Sequence, residues 1–177
     1  MSRVIFIAVI ICVIYFIAKN KTKKSDNTPQ TNPPQTDMEH YEKLQLSRFC
    51  DIISESLDIM CKTTNTGTFF SRYDVTVKML NKAISVESCI AGNNTKRPSE
   101  ILQDFYNTKD ELINEFLKRA FQKTIDDASS LKTEKGKQNR LTNFFSEIES
   151  YNNYLSSANL VLLNELKKRA NLCNPNT

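Results

Sequence analysis

The sequence predicts an all-α protein with a single amino-terminal transmembrane helix, a tether, and a bundle of five or six helices. Three observations carry this. Residues 4–18 read VIFIAVIICVIYFIA without a polar break. Residues 20–37 hold Pro29, Pro33 and Pro34 among Asn, Thr, Gln, Lys, Ser and Asp, with no other apolar side chain. From residue 38 onward apolar residues recur at three- and four-residue steps, and no sustained alternation of period two suggests a strand. The expected organisation is an anchor over 1–19, a tether over 20–37 and a helical domain over 38–177.

Fifteen helical residues reach about 22 Å, short of the roughly 30 Å hydrocarbon core. Arg3 and Lys19 offset the difference by leaving their stems in lipid while their charges reach the surface. A cleavable signal would show small residues at its end. Here the end is Phe16-Ile17-Ala18-Lys19, with bulky Phe16 where a small side chain belongs, so the stretch reads as an uncleaved signal-anchor. Its flanks set orientation. Lys19, Lys21, Lys23 and Lys24 follow it, against Arg3 and the amino terminus before it. Basic flanks stay inside, which places the carboxyl-terminal part in the cytoplasm. The same four lysines are candidate contacts for anionic lipid headgroups.

Charge is unevenly distributed. Residues 1–37 carry five basic and two acidic side chains, residues 38–177 nineteen and eighteen. The helical domain is thus nearly neutral, which argues against nucleic acid as a partner. The tether lacks the apolar surface needed to offset its ordering entropy, and it contains no P-x-x-P ligand motif.

The helices follow in order. The first, about 39–62, places Leu46, Phe49, Cys50, Ile53, Leu57, Met60 and Cys61 on one face, with Tyr41, Ile52 and Ile59 in a weaker stripe. TTNTG at 63–67 is a turn by composition. The second helix, about 69–91, carries Phe69, Tyr73, Val77, Leu80 and Ile84 opposite Val75, Met79 and Val86, as a sandwiched helix would. Gly92 stops it. Pro98 opens the third, with Leu102, Phe105, Tyr106, Ile113, Phe116, Leu117, Ala120 and Thr124 on one face. The capping-box pattern Thr108-Lys109-Asp110-Glu111 predicts a break near Asn107. A loop is expected over 131–136. A further helix, about 137–155, carries Leu141, Phe144, Phe145, Ile148, Tyr151 and Leu155. The last starts after Ser156 or Ser157, with Leu160, Leu163 and Leu166 inward and Lys167, Lys168 and Arg169 complementing its carboxyl-terminal dipole.

No catalytic or cofactor motif emerges. Of five cysteines, Cys12 lies within the apolar run. Cys50 and Cys61 are eleven positions apart on one helix, about 16 Å, beyond a disulfide's reach. In a hairpin about Asn65, Cys89 faces position 41 and meets neither. With no C-x-x-C and His40 as the one histidine, no zinc set closes, and the thiols read as small apolar fillers. Two Glu-x-x-His motifs, as a carboxylate-bridged metal pair requires, are likewise missing. Glu115 and Arg119, four apart, read as an exposed ion pair, and Asp126-Asp127 as solvated. Gly67, Gly92 and Gly136 are isolated, so no phosphate-cradling loop exists. The pairs Phe69-Phe70 and Phe144-Phe145 read as core wedges. Lys132, Lys135, Lys137 and Arg140 form a secondary basic patch, offset by Glu134.

These features predict a membrane-tethered interaction module that binds a protein partner near the inner membrane surface and needs no cofactor. An alternative is a ligand-binding or enzymatic bundle whose pocket uses Tyr73, Tyr106 or Tyr151. Reversed topology would instead give an exported surface domain.

Overall fold

The structure, a computed structural model, describes residues 35–87 and 98–172. Among these residues there is no strand. Five α-helices follow one another: α1 Gln35–Lys62, α2 Thr66–Glu87, α3 Pro98–Ser129, α4 Glu134–Glu149 and α5 Ser157–Leu172, with a 3-10 turn at Asn152–Tyr154. The expected span and most of the tether lie outside the described residues, as do Gly92 and the sequence around Cys89. Among the described residues no helix is long and apolar enough to cross a membrane.

The described residues belong to two compact units. One takes α1 as far as Ile59, α2 from Arg72 and α3 as far as Thr108. Its buried side chains include Ile53, Ser56 and Leu57 from α1, Tyr73, Thr76, Leu80 and Ala83 from α2, and Phe105 from α3. The Tyr73 and Phe105 rings lie 5.3 Å apart, and the Lys82 ammonium sits 6.0 Å from the Phe49 ring centroid. Val75, Met79 and Val86 are half-buried, so the second face of α2 is covered only in part.

The other unit holds residues 60–71 and everything from Lys109 onward. Its centre is aromatic. Phe69 stacks on Phe116 with centroids 4.1 Å apart and planes at 16°. Phe70 meets Phe116 edge-on at 6.1 Å and stacks on Tyr151 at 4.5 Å. Further along α3, Phe121 lies 6.0 Å from both Phe144 and Phe145. Both Phe-Phe pairs are therefore core, as their spacing suggested. Leu112, Ile113, Leu117, Ala120, Leu141, Ile148, Leu163, Leu166 and Ala170 complete the burial.

Local hydrogen bonding explains where helices begin. α2 starts at Thr66, inside the expected turn, because Asn65 caps it: its Oδ1 accepts the Thr68 N–H at 2.8 Å. Thr133 does the same for α4, its hydroxyl accepting the Gly136 N–H at 3.2 Å, so that helix opens at Glu134, three residues before the expected start at 137. A Cβ at Gly136 would stand 2.9 Å from the Thr133 hydroxyl oxygen. Only glycine leaves this cap undisturbed. Ser156 caps α5 in a reciprocal box with Asn159: Ser156 Oγ accepts the Asn159 N–H at 3.3 Å, and Asn159 Oδ1 accepts the Ser156 N–H at 2.9 Å.

Four expectations need correction. α3 runs unbroken through Asn107. The Thr108 hydroxyl donates backward to the Asp104 carbonyl at 2.9 Å rather than capping a new helix, and Gln103 bonds Asn107 across one turn. The boundary between the two units nonetheless falls at Thr108 and Lys109. α4 ends at Glu149 rather than near 155, because the chain tightens into the 3-10 turn and carries Tyr151 off the helix. In α5 the buried row is Asn159, Leu163, Leu166 and Ala170, whereas Leu160 is exposed. Lastly, Arg119 does not pair with Glu115. Glu115 pairs with Lys118 at 3.1 Å, and Arg119 Nη2 donates to the Met60 carbonyl at 2.8 Å. A carbonyl in the last turn of α1 has no intrahelical donor left, and the guanidinium supplies one.

Candidate functional site

Lys19, Lys21, Lys23 and Lys24 lie outside the described residues. The other basic group falls at the corner between α3 and α4, and its members divide. Lys137 pairs with Glu134 at 2.5 Å. Arg140 reaches across the corner to Asp127 at 2.8 Å, and Lys123 binds the same carboxylate at 2.6 Å from one turn earlier in α3. Lys132 and Lys135 are exposed. Asp127 is therefore not simply solvated. Hydrogen bonds from Lys123 and Arg140 hold its carboxyl below the usual carboxylate range. Asp126 accepts from Gln122 at 2.9 Å. The corner is a lattice of opposite charges in which two of the four expected basic residues are engaged by acids. Both ends of these pairs are solvent-accessible, so they position α4 on α3 more than they add stability.

The three tyrosines considered for a pocket are not gathered in one unit. Tyr73 is buried against Phe105, and Tyr106 is exposed with its ring 6.2 Å from that same phenylalanine. Tyr151 belongs to the other unit, stacked on Phe70. Cys50 and Cys61 are half-buried, and neither forms a disulfide. Burial, with Asp51 adding to it, pushes the Cys50 thiol up, which disfavours the nucleophilic thiolate. Among the described residues no group of three His, Cys, Asp or Glu side chains is arranged to hold a metal.

Sequence reasoning missed two polar side chains that organise the second unit. Arg119 is one. The other is Asn159, whose Nδ2 donates to the Asp110 carbonyl at 3.0 Å and to Asn114 Oδ1 at 2.9 Å, while its Oδ1 serves the Ser156 cap. Their long-range bonds carry no local sequence signal, since the partner of Arg119 lies 59 residues away and those of Asn159 lie 49 and 45 residues away. Both roles are architectural.

Comparison of the chain with protein-family models finds no match. Comparisons with curated proteins and with solved structures give none either. Function therefore rests on the chain's own residues.

Proposed function

We propose that this protein is a membrane-tethered helical interaction module. Residues 4–18 anchor it as a single-pass signal-anchor, the intervening chain acts as a spacer, and the helical part lies on the cytoplasmic side, where it binds a protein partner close to the membrane. The observation that carries this reading is the fifteen-residue apolar run with Lys19, Lys21, Lys23 and Lys24 immediately after it, joined to a helical part that buries its own aromatic and aliphatic side chains. The near balance of charge in residues 38–177 favours a protein over nucleic acid.

Confinement near a bilayer raises effective concentration toward any partner held at the same surface. Location is then part of the activity, and spacer composition matters little. Replacing residues 25–34 by a Gly/Ser spacer of equal length should preserve both the cellular phenotype and the partners captured by in-cell cross-linking. Deleting residues 4–18 should abolish both. Full rescue by the anchorless chain would contradict the reading and favour action on a soluble ligand.

A further inference from the structure

The outward face of α1 changes character along its length. Positions 41, 44, 48, 51, 55 and 58 recur at three- and four-residue steps, so they form one row, and all six side chains are exposed. The row reads Tyr41, Leu44, Arg48, Asp51, Glu55, Asp58. Its apolar members come first, at 60% and 45% exposure, a cation follows, and three acids occupy the rest. The core-facing positions of the same helix, Ile53, Ser56 and Leu57, are buried, so Tyr41 and Leu44 are not strays from the core stripe.

The apolar end of the row is also the end nearest, along the chain, to the apolar run. Sixteen residues, 19–34, separate that run from the first residue of α1. By the random-coil relation sixteen residues correspond to roughly 20–25 Å, a distance that would keep the first turns of α1 close to any bilayer holding residues 4–18. We propose that Tyr41 and Leu44 seat in the headgroup region of that bilayer, with Arg48 against anionic headgroups. The occupant of this face is thus a lipid surface. The inference rests on the anchoring of residues 4–18 proposed above.

The chemistry of each position fits its depth. Tyrosine favours the membrane interface, where its ring lies in the apolar boundary and its hydroxyl in water. Arginine extends its stem along apolar surface and offers a guanidinium to phosphate. Asp51 follows Tyr41 by ten residues, about 15 Å along a helix. With Arg48 at the headgroups, Asp51 lies about 4.5 Å beyond it and Asp58 about 15 Å, so the acids come last from the surface, behind a cation that offsets their repulsion. An acid-first order would repel the same surface. Two apolar side chains bind lipid weakly by themselves, but a short tether supplies an effective concentration in the millimolar range. Contact then orients α1 on the membrane, where the tether alone would only keep it nearby.

The test exploits the absence of tryptophan from the chain. Leu44→Trp and, separately, Tyr41→Trp each install a single reporter at an already exposed site, and Leu131→Trp installs one at an exposed site outside the row. The full chain is reconstituted in phosphatidylcholine–phosphatidylserine vesicles containing lipid brominated near the glycerol end of its acyl chains. Flotation first establishes that the protein is with the vesicles. The Leu44→Trp and Tyr41→Trp emissions should shift to the blue and be quenched several-fold more strongly than that of Leu131→Trp. Adding Arg48→Glu should weaken this quenching in anionic vesicles and leave it unchanged in neutral ones. Floated protein in which both row reporters are quenched no more than Leu131→Trp would overturn the contact while leaving the anchor intact. A blue shift that follows protein density but not bromine would also overturn it, assigning the face to a second copy of the chain. Protein that fails to float would remove the anchor and this contact together.

Discussion

Replacing Phe116 by alanine is expected to destabilise the helical part by about 3–5 kcal/mol, the range for deleting a fully buried phenylalanine. Phe116 has no exposed surface. One face of its ring stacks on Phe69 at 4.1 Å, and Phe70 meets it edge-on. Phe70 itself carries Tyr151 at 4.5 Å and Tyr154 at 4.9 Å, so a cavity at 116 undercuts packing that joins the start of α2, the middle of α3 and the turn after α4. Loss on this scale is a large share of the 5–15 kcal/mol that typically separates folded from unfolded chains. Phe116→Leu keeps most of the volume and should cost well under half as much. The check is the urea midpoint of residues 35–177, followed by circular dichroism, with the denaturant slope held equal between variants. A Phe116→Ala loss below about 1 kcal/mol would show that the site collapses around the missing ring, contrary to the close packing described.

The second large effect is expected at Asn159. It is completely buried, and its side-chain amide is engaged on both atoms: Oδ1 with the backbone N–H and hydroxyl of Ser156, Nδ2 with the Asp110 carbonyl and Asn114 Oδ1. Asn159→Leu preserves volume but strips partners from part-buried groups of Ser156, Asp110 and Asn114, for a total of about 2–4 kcal/mol. Ser156→Ala removes only its half of the cap and should cost about 1 kcal/mol. The difference between the two variants measures what Asn159 contributes by tying the start of α5 to α3, and the double variant should fall short of additivity because both residues share the cap. Equal losses for the two single variants would reduce Asn159 to a capping residue.

Which parts of this architecture were legible in the sequence follows from range. The helical class, Pro98 as the opening of α3 and the stripe Ile113, Phe116, Leu117, Ala120 and Thr124 all follow from apolar spacing, a short-range signal that burial enforces. Two of the misplacements share one origin, polar residues with partners far away in the chain. In α5 Leu163 and Leu166 are buried as their spacing predicts, but Asn159, a surface residue by type, takes the buried place expected of Leu160. Arg119 has a glutamate four residues before it and was paired locally, although a helix-end carbonyl on α1 holds it instead. Thr108 and Glu111 match a capping pattern, but the Thr108 hydroxyl bonds back to the Asp104 carbonyl and the helix continues through it. The basic corner was visible as composition, while the engagement of Arg140 by Asp127, thirteen residues earlier, depends on how α4 turns back after Thr133.

The central claim, that residues 4–18 hold a cytoplasmic helical part at the membrane, is tested most directly by topology reporters fused after Thr177 and assayed in the membrane fraction of intact cells. One reporter is active only inside, the other only outside. The expected result is full activity of the inside reporter, silence of the outside one, and loss of both from the membrane fraction when residues 4–18 are deleted. Activity of the outside reporter, or membrane recovery unchanged by the deletion, would contradict the account.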